Sequence, residues 1–543
     1  MNKTWWKEAV VYQVYWRSFY DTDGDGFGDL QGVIEKLDYI KDLGIDVIWL
    51  NPCYESPDAD NGYDISGYYD IMPKAGTMAT FEKLLDEAHQ RGMKLIMDLV
   101  VNHTSNQHPW FLESRSSKDN PKRDWYIWRD GKDGQPPNNW RSYFTPSTWD
   151  YDDATGQYYF HSFATEQPDL NWQSPELREE IYKMMRFWLD KGIDGFRLDA
   201  IALLAKREGY TDVEHPDTIN YLGNNPGVHE YLREMNEKVF SHYDILTVGE
   251  VAFVGPEQGV LYVAEDRREL NTLFHFQVAD DMPTWDMKRF KEIQQSWYEG
   301  LKDRGWNSQF LNNHDHTRQV TRYGNDKEFR IESAKLLATM LHTLPGMPYV
   351  YQGEEIGMTG VRFSSIEDYN DIAMKNKYRE EVGKGRDPEE VFESLLPLSR
   401  DNSRTPVQWN DGPNAGFTTG EPWIKINPNY QQINVEAALS DPNSVYYYYQ
   451  KLIALRKENP VMVYGDYQDL SADNEHLYVY TRSLDGVRWL VMLNHSDSES
   501  VLTLPEAHDA NKRLIIANYG DVADDQPIAR VTLRPHEARV YQL

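Results

Sequence analysis

Three features are scarce in this chain, and each scarcity excludes a class of protein. Its 543 residues include a single cysteine, Cys53, which excludes an internal disulfide framework. Basic residues number 56 against 87 acidic ones, and the resulting formal charge of −31 disfavours nucleic acid and anionic membranes as partners. No stretch approaches the roughly 18 apolar residues that a membrane helix needs. We therefore expect a neutral, small substrate, no nucleic-acid partner and no membrane partner.

The N-terminal sequence also lacks the apolar segment of a secretory signal. We expect a cytoplasmic protein that is a monomer or a weak homo-oligomer. With 40% hydrophobic and 26% charged residues, the composition is that of a globular protein. The chain is longer than one core usually supports, so we expect a large domain with at least one smaller one.

Short apolar runs alternate with amphipathic stretches along most of the chain. Eight runs have the length and composition of buried strands, namely Ala9–Phe19, Asp46–Pro52, Lys94–Val101, Ile193–Ala200, Asp244–Val251, Thr272–Val278, Ser308–Asn312 and Met347–Gln352. Helical patterns between them are typical of parallel strands joined by right-handed crossovers. Eight such units favour a closed (β/α)8 TIM barrel, with a doubly wound open sheet as the weaker alternative.

Two interruptions and one change of period indicate further domains. The pattern stops between Val101 and Pro175, which predicts a subdomain inserted after the third strand. A second polar insertion lies between Gln352 and Val445, and after Lys457 the apolar residues alternate as in an antiparallel β-domain. The expected domains are the barrel, residues 1–103 and 172–460; the inserted subdomain, 104–171; and a C-terminal β-sandwich, 461–543.

Polar residues end four of the predicted strands. The third strand ends at His103, the fourth at Asp199, the fifth at Glu250, and the seventh at His314-Asp315. A single carboxylate in such a place is most often a helix cap or half of a buried ion pair. Four strand ends with the same character instead predict an active site, because catalytic groups of such barrels lie at the carboxyl ends of the strands.

Paired carboxylates in this arrangement fit the cleavage of an acetal. One carboxylate attacks the anomeric carbon while a carboxylic acid protonates the leaving oxygen, so the two groups need different pKa values. Arg197 lies two residues before Asp199 and on the same face of the strand, where it is expected to keep that carboxylate ionised by lowering its pKa. Glu250 has no basic neighbour in its own run, which suits a proton donor.

The four strand ends resemble the signature regions of glycoside hydrolase family 13, the α-amylase family, and the resemblance extends over nearly the whole chain. It implies that Asp199 is the nucleophile, Glu250 the general acid/base, and Asp315 a third carboxylate that orients sugar hydroxyls. It also implies that His103 and His314 bind the sugar that reacts, in the −1 subsite.

Further stretches are similar to the oligo-1,6-glucosidase and α-glucosidase subfamily, among them Gln167-Pro168-Asp169-Leu170-Asn171. The resemblance implies that Asp60 and Arg400 bind the non-reducing glucose and close the pocket behind it. An acceptor and a rigid donor fork also suit neighbouring hydroxyls on chemical grounds. The further positions expected to contact the substrate are Tyr63, Phe144, Phe163, Gln167, Arg197, Ala200 and Arg404.

An acidic loop after the first strand predicts a metal site. In the run from Asp21 to Asp29, carboxylates occupy positions 1, 3, 5 and 9, with a glycine at position 6. The expected ligands are Asp21, Asp23, Asp25, the carbonyl of Phe27, and Asp29. Gly32 stands at position 12 instead of a glutamate, so the loop is not an EF-hand. The resemblance likewise implies a structural Ca²⁺, with Mg²⁺ possible.

The function that these features predict is an exo-acting, retaining α-glucosidase that acts on short α-glucosides. By the resemblance, the residue after the nucleophile is typically Val in α-1,6-specific enzymes and Ala or Thr in α-1,4-specific ones, so Ala200 slightly favours α-1,4 bonds. The main alternative is an oligo-1,6-glucosidase. A sucrose isomerase would carry an arginine-rich run that Phe274–Met282 lacks, and a trehalose-6-phosphate hydrolase would need phosphate-binding cations. Transporter subunits that share the barrel typically lack the three carboxylates.

Overall fold

The computed structural model describes residues 3–282, 284–505 and 512–543. In chain order its strands are β1 Val11–Val14, β2 Val47–Leu50, β3 Tyr54–Glu55, β4 Gly67–Ile71, β5 Lys94–Val100, β6 Trp128–Arg129, β7 Trp149–Asp152, β8 Gln157–Phe160, β9 Gly195–Asp199, β10 Leu246–Val251, β11 Thr272–His275, β12 Ser308–Gln309, β13 Met347–Tyr351, β14 Asp466–Asp469, β15 Leu477–Leu484, β16 Val487–Asn494, β17 Ser500–Thr503, β18 Arg513–Ala517, β19 Arg530–Leu533 and β20 Ala538–Gln542.

The α-helices are α1 Trp5–Glu8, α2 Leu30–Glu35, α3 Leu37–Leu43, α4 Met78–Gln90, α5 Pro109–Ser116, α6 Pro175–Asp190, α7 Val228–Lys238, α8 Pro256–Val263, α9 Gln277–Asp281, α10 Met287–Leu301, α11 Gln319–Tyr323, α12 Arg330–Thr343, α13 Ile372–Gly383, α14 Pro388–Leu395, α15 Asp401–Arg404, α16 Val435–Ser440, α17 Val445–Glu458 and α18 Pro460–Tyr464. In the described part of the chain, none of them is long and apolar enough to cross a lipid bilayer.

Eight parallel strands form a closed barrel. Their order in the sheet is β11-β10-β9-β5-β2-β1-β13-β12. A parallel bridge between Leu273 and Asn307 joins the two ends of that order, so the sheet closes on itself. The prediction of a barrel is therefore confirmed, and the open sheet is excluded.

The barrel interior is filled by side chains from all around the sheet. The apolar cluster inside includes Val47, Trp49, Leu246, Phe274 and Tyr349, all buried. The helices cover the outer face of the same strands. Because both faces are covered, the strands read as continuous apolar runs instead of alternating ones, which is why the sequence pattern identified them.

Several element limits differ from the predicted ones. The first predicted strand shrinks to Val11–Val14 and continues as a 3₁₀ turn at Trp16–Ser18. The helical pattern that follows the first strand, Leu30–Leu43, breaks into α2 and α3 at Lys36, whose backbone (φ −106°, ψ 6°) leaves the helical region. The spacing of apolar residues predicts which side chains are buried, but it does not show where regular backbone hydrogen bonding ends. In these stretches the apolar side chains remain buried beyond the end of the strand or helix.

The segment inserted after β5 carries its own small antiparallel sheet, in the order β6-β8-β7. Its end is attached to the barrel by Lys206, whose Nζ donates to Asn102 Oδ1 at 2.8 Å, Asp169 Oδ2 at 2.6 Å and the carbonyl of Leu203 at 2.6 Å. Asp169 belongs to the inserted segment and Asn102 to the end of the third barrel strand. One buried cation thus fixes the inserted segment beside the barrel mouth.

The second insertion contains the helices α13 and α14. Glu380 of α13 accepts two hydrogen bonds from Arg141 of the inserted subdomain, at 2.8 and 3.0 Å. The two insertions therefore meet over the same end of the barrel.

The C-terminal strands form an antiparallel β-domain, as predicted. Five strands pair in the order β14-β15-β16-β20-β18, and β17 pairs with β19. An apolar cluster that includes Leu477, Met492, Leu502, Leu533 and Tyr541 lies between the two sheets. The domain limits given above stay predictions.

Candidate active site

Three carboxylates meet at the carboxyl edge of the barrel. Asp199 is the last residue of β9, Glu250 lies near the end of the adjacent β10, and Asp315 is in the loop after β12. The strand register pairs Leu198 with Gly249, which places the first two carboxylates side by side. All three line one cavity of about 700 Å³.

Arg197 connects this pair of carboxylates to a further one. Its Nη1 donates to Asp98 Oδ1 at 2.5 Å and to Asp199 Oδ1 at 2.6 Å, and its Nη2 lies 2.8 Å from Glu250 Oε2. The arginine itself is 1% exposed. Glu250 therefore has a basic partner after all, contrary to the sequence interpretation, because that partner comes from the neighbouring strand. Asp98 was not predicted.

The pKa values of both catalytic candidates are raised by burial. Burial raises the pKa of Glu250 to about 7, with Arg197 opposing the rise. Burial also raises the pKa of Asp199 to about 6, although the charge of Arg197 opposes this rise as well. The expected lowering for Asp199 is wrong, because burial outweighs the arginine.

Asp315 is held ionised. Burial alone would raise its pKa, but the contact with His314 and the charges of Arg404 and Arg400 together bring it well below the usual range. Arg404 Nη2 donates to Asp315 Oδ1 at 2.6 Å, and Arg400 Nη1 lies 3.6 Å from the same oxygen. A permanent carboxylate at this position is suited to accept hydrogen bonds from sugar hydroxyls.

His314 is a neutral imidazole whose orientation is set by its neighbours. Burial brings its pKa well below the ordinary value. Gln13 Nε2 lies 2.8 Å from Nδ1, which identifies that nitrogen as the acceptor and leaves the proton on Nε2. Nε2 is 2.8 Å from the hydroxyl of Tyr63 and 3.1 Å from Asp315 Oδ2. Gln13 was missed, since nothing near it in the sequence marks it.

The back of the cavity is closed by charged groups from distant segments. Arg400 Nη2 donates to Asp60 Oδ1 at 3.0 Å, although 340 positions separate the two residues. Asp371 accepts from Arg400 Nε at 2.9 Å and from its backbone N–H at 2.9 Å. The ring of Phe144 lies 4.9 Å from the guanidinium. Asp371 was not predicted, although it sets the direction of Arg400.

The inserted subdomain supplies one side wall. Gln167 Nε2 lies 3.2 Å from Asp60 Oδ2 and 3.2 Å from His103 Nε2. The ring of Phe163 lies 5.2 Å from the ring of His103 and 5.4 Å from that of Phe144. These contacts hold the insertion against the barrel end at the place where a sugar would lie.

Most predicted site residues line the cavity. They are Asp60, Tyr63, His103, Phe144, Phe163, Gln167, Asp199, Ala200, Glu250, Asp315 and Arg400. Arg197, His314 and Arg404 lie behind this lining, where they contact its carboxylates. The lining residues that were not predicted are Tyr143, Ala202, Leu203, Ile219, Ala252, Phe253, Val254, Gly255, Phe276, Gln277, Asp280, Asp281 and His316.

The acidic loop brings part of the predicted metal site together. One carboxylate oxygen each from Asp21, Asp23 and Asp29 lies within 4.8 Å of the others. Asp25 does not belong to this group; its Oδ1 accepts the backbone N–H of Phe27 at 2.8 Å. The assignments of Asp25 and of the Phe27 carbonyl as metal ligands stay predictions.

A closed parallel barrel with a buried arginine between two carboxylates of raised pKa, and with a third carboxylate held ionised beside them, is the arrangement of a glycoside hydrolase. The family follows from comparison with known proteins. A family model described as "Alpha amylase, catalytic domain" matches residues 13–465, and one described as "Maltogenic Amylase, C-terminal domain" matches residues 467–540. The chain belongs to the α-amylase family of glycoside hydrolases.

Individual relatives match over the full length. An oligo-1,6-glucosidase of Parageobacillus thermoglucosidasius is 53% identical, with all of both chains covered. A trehalose-6-phosphate hydrolase of Bacillus subtilis is 47% identical over 99% of this chain and 98% of its own. The crystal structure of a trehalulose synthase from Pseudomonas mesoacidophila MX-45 superposes with a TM-score of 0.96, at 44% identity and full coverage of both chains.

Replacement of Glu250 by Gln tests whether Glu250 is the proton donor and Asp199 the nucleophile. With p-nitrophenyl α-glucoside as substrate, the leaving nitrophenolate needs no proton, so Asp199 can still be glycosylated in the Glu250→Gln variant. We therefore expect a burst of about one equivalent of nitrophenol, followed by slow turnover. The steady rate of this variant on a disaccharide should fall by about 10²–10⁴-fold. Asp199→Asn is the matched control and should show no burst, because it removes the attacking oxygen. A burst from Asp199→Asn would contradict the assignment.

The pH profile of kcat/KM should be bell-shaped. Activity should rise as Asp199 ionises near pH 6 and fall as Glu250 loses its proton near pH 7, the two apparent values belonging to the coupled pair. The profile is measured on a disaccharide, whose leaving group requires protonation. A rate that stays constant well above pH 8 would refute the role of Glu250.

Proposed function

We propose that this enzyme is an exo-acting, retaining α-glucosidase that releases glucose from the non-reducing end of short oligosaccharides, with α-1,6 bonds preferred. The observation that carries the exo mode is the ion pair of Asp60 and Arg400, which lines the cavity beside Asp315 and which we take to close that end of it. A chain that entered this cavity could place only its terminal sugar in it. The α-1,6 preference is supported by the 53% identical relative, an oligo-1,6-glucosidase over its full length.

In the proposed reaction, a carboxylate oxygen of Asp199 bonds to the anomeric carbon while the glycosidic C–O bond breaks. Glu250 gives its proton to the departing oxygen, and the sugar is left on Asp199 as a glycosyl ester. A water molecule then attacks the same carbon, Glu250 takes one of its protons, and Asp199 leaves as a carboxylate. Arg197 stays charged throughout and contacts both groups, so it balances the charge that shifts between them.

A preference for α-1,4 bonds is the second candidate, and Ala200 is the observation that favours it. This residue follows the nucleophile and lines the cavity, and its backbone N–H donates to Glu250 Oε2 at 2.8 Å. A small side chain here leaves room beside the scissile bond, as expected from the residue types that distinguish the two specificities in the family.

Two other activities have less support. A phosphate-specific hydrolase needs a free cation beside the leaving sugar. Among the described residues that line the cavity, the arginine is Arg400, and it is already paired with Asp60 and Asp371. The run from Phe274 to Met282, expected to be arginine-rich in a sucrose isomerase, contains acidic residues here.

Linkage preference is tested by comparing isomaltose with maltose. We expect kcat/KM to be about 10-fold higher for isomaltose. Ala200→Val should raise this ratio further, because the added methyl groups narrow the cavity beside Asp199. Ala202→Val, which adds the same groups elsewhere in the lining, is the matched control.

Because Ala200 has a φ of 45°, valine is strained there, and the melting temperature of each variant must be checked. A clear preference of the unchanged enzyme for maltose would establish the α-1,4 alternative.

We also propose a structural Ca²⁺ bound by Asp21, Asp23 and Asp29. Three carboxylate oxygens within 4.8 Å of one another form a hard-oxygen donor set. Burial raises the pKa of Asp29, and the charge of the nearby Asp21 adds to the rise, so a cation between the two carboxylates would stabilise both. The ion would hold the loop between β1 and α2 and take no part in the reaction.

Chelation should therefore affect stability. We expect EDTA to lower the melting temperature by at least about 3 °C and excess CaCl₂ to restore it. Asp23→Asn should abolish the change of melting temperature with EDTA. Asp25→Asn, two positions further along the loop and outside the group of three carboxylates, should retain it. An unchanged melting temperature after chelation would contradict the site, and recovery with MgCl₂ alone would identify the smaller ion.

A further inference from the structure

The cavity mouth, beyond the catalytic carboxylates, has two walls of different chemistry. One wall is apolar and is formed by Leu203, Ile219, Phe253 and Val254. The other is formed by the short helix α9, which presents Gln277, Asp280 and Asp281 to the same space. A leaving sugar would pass between them, with one face against the apolar wall and its hydroxyls toward α9.

Asp280 is the unpaired charge of this wall. In the described part of the chain it takes part in no ion pair, whereas Asp281 bonds to Arg289 at 2.5 Å. Arg322 lies behind the helix, and its Nη2 donates to the carbonyls of Ala279 at 2.5 Å and Met282 at 3.5 Å. Burial, and next the charge of Asp281, raise the pKa of Asp280 to about 6, so it is ionised above neutral pH.

The lining that the structure describes offers little positive charge to balance it. Arg400 is bound to Asp60 and Asp371 at the opposite end of the cavity. Burial, the largest cause, together with Arg322 lowers the pKa of His316 to about 4, so this ring beside α9 is neutral. Asp280 is therefore a carboxylate of the cavity lining without an ion-pair partner among the described residues, and Arg322 behind α9 is the cation that opposes the rise of its pKa.

We propose that Asp280 makes the enzyme select uncharged leaving groups and exclude phosphorylated ones. The inference rests on the proposed glucosidase function and names the substrate class of the same cavity. A phosphate on the leaving sugar carries close to two negative charges at neutral pH, and α9 meets it with a like charge instead of a donor. A neutral sugar can donate its hydroxyls to the same carboxylate and is favoured by it. Asp280 thus acts by admitting one class of leaving group and repelling the other.

The size of the effect follows from Coulomb's law in a partly hydrated opening. A doubly charged phosphate within roughly 7 Å of a carboxylate, at an effective dielectric constant between that of water and that of a protein surface, is disfavoured by about 10-fold or more. Salt should reduce this factor, because the mouth is open to solvent.

The test compares two substrates, trehalose 6-phosphate and whichever of isomaltose or maltose the enzyme cleaves better. The measured quantity is the ratio of their kcat/KM values at pH 7.5 and low ionic strength. Asp280→Asn should raise the ratio for the phosphorylated substrate by about 10-fold, and Asp280→Lys by more. Asp411→Asn removes the same charge from an exposed turn outside the cavity and should leave the ratio unchanged.

Each outcome decides one point. A ratio for Asp280→Asn no higher than that for Asp411→Asn, with the melting temperature retained, overturns the role of Asp280. An unchanged enzyme that cleaves trehalose 6-phosphate better than both neutral disaccharides also overturns it, while the hydrolytic chemistry stands. Failure of the unchanged enzyme on every α-glucoside, p-nitrophenyl α-glucoside included, refutes the proposed function itself. If the rise in the ratio that Asp280→Asn causes disappears at high salt, the result supports repulsion by charge.

Discussion

The chemistry of this molecule depends on one buried guanidinium. Arg197 is removed from water yet keeps its charge, because its pKa is far too high for burial to neutralise it. That charge is stable only with anions around it, and the barrel provides Asp98, Asp199 and Glu250 within bonding distance. Asp98 is the fixed partner, since it also accepts Trp49 Nε1 at 2.7 Å in the barrel interior. The two carboxylates that face the cavity are thereby left to share the remaining charge.

The barrel and its catalytic carboxylates were predictable because their signals are local. A buried parallel strand is a short apolar run, and a polar residue at its end appears in the sequence next to it. Partners from other strands or loops leave no such mark. Gln13 is 301 positions from His314, and the closed barrel brings these two together. Asp371 is 29 positions from Arg400, and the fold of the second insertion brings that pair together. The error about the pKa of Asp199 has the same origin, because the extent of burial is a property of the whole fold.

The two insertions supply parts of the cavity lining that the barrel strands do not. The eight strands place the carboxylates, but the walls of the cavity come from the segment after β5 and from the segment around α13. Each is attached by charge, the first through Lys206 and the second through Arg141 and Glu380. Sequence reasoning identified both segments as irregular and polar. The family resemblance placed Phe144, Phe163, Gln167 and Arg400 of these segments at substrate-contacting positions. It did not give the contacts that attach the segments, because those contacts join residues far apart in the chain.

The ion pair behind the cavity has a consequence for long polymers. A pocket blocked by Asp60 and Arg400 accepts termini only, so for the proposed enzyme the relevant concentration is that of chain ends and not of bonds. At equal mass, a polysaccharide of high molecular weight offers few ends and a pool of di- and trisaccharides offers many. Such an enzyme would gain substrate each time another hydrolase cut a polymer in its interior. The proposed enzyme would therefore act late in the degradation of a glucan, when the fragments are already short.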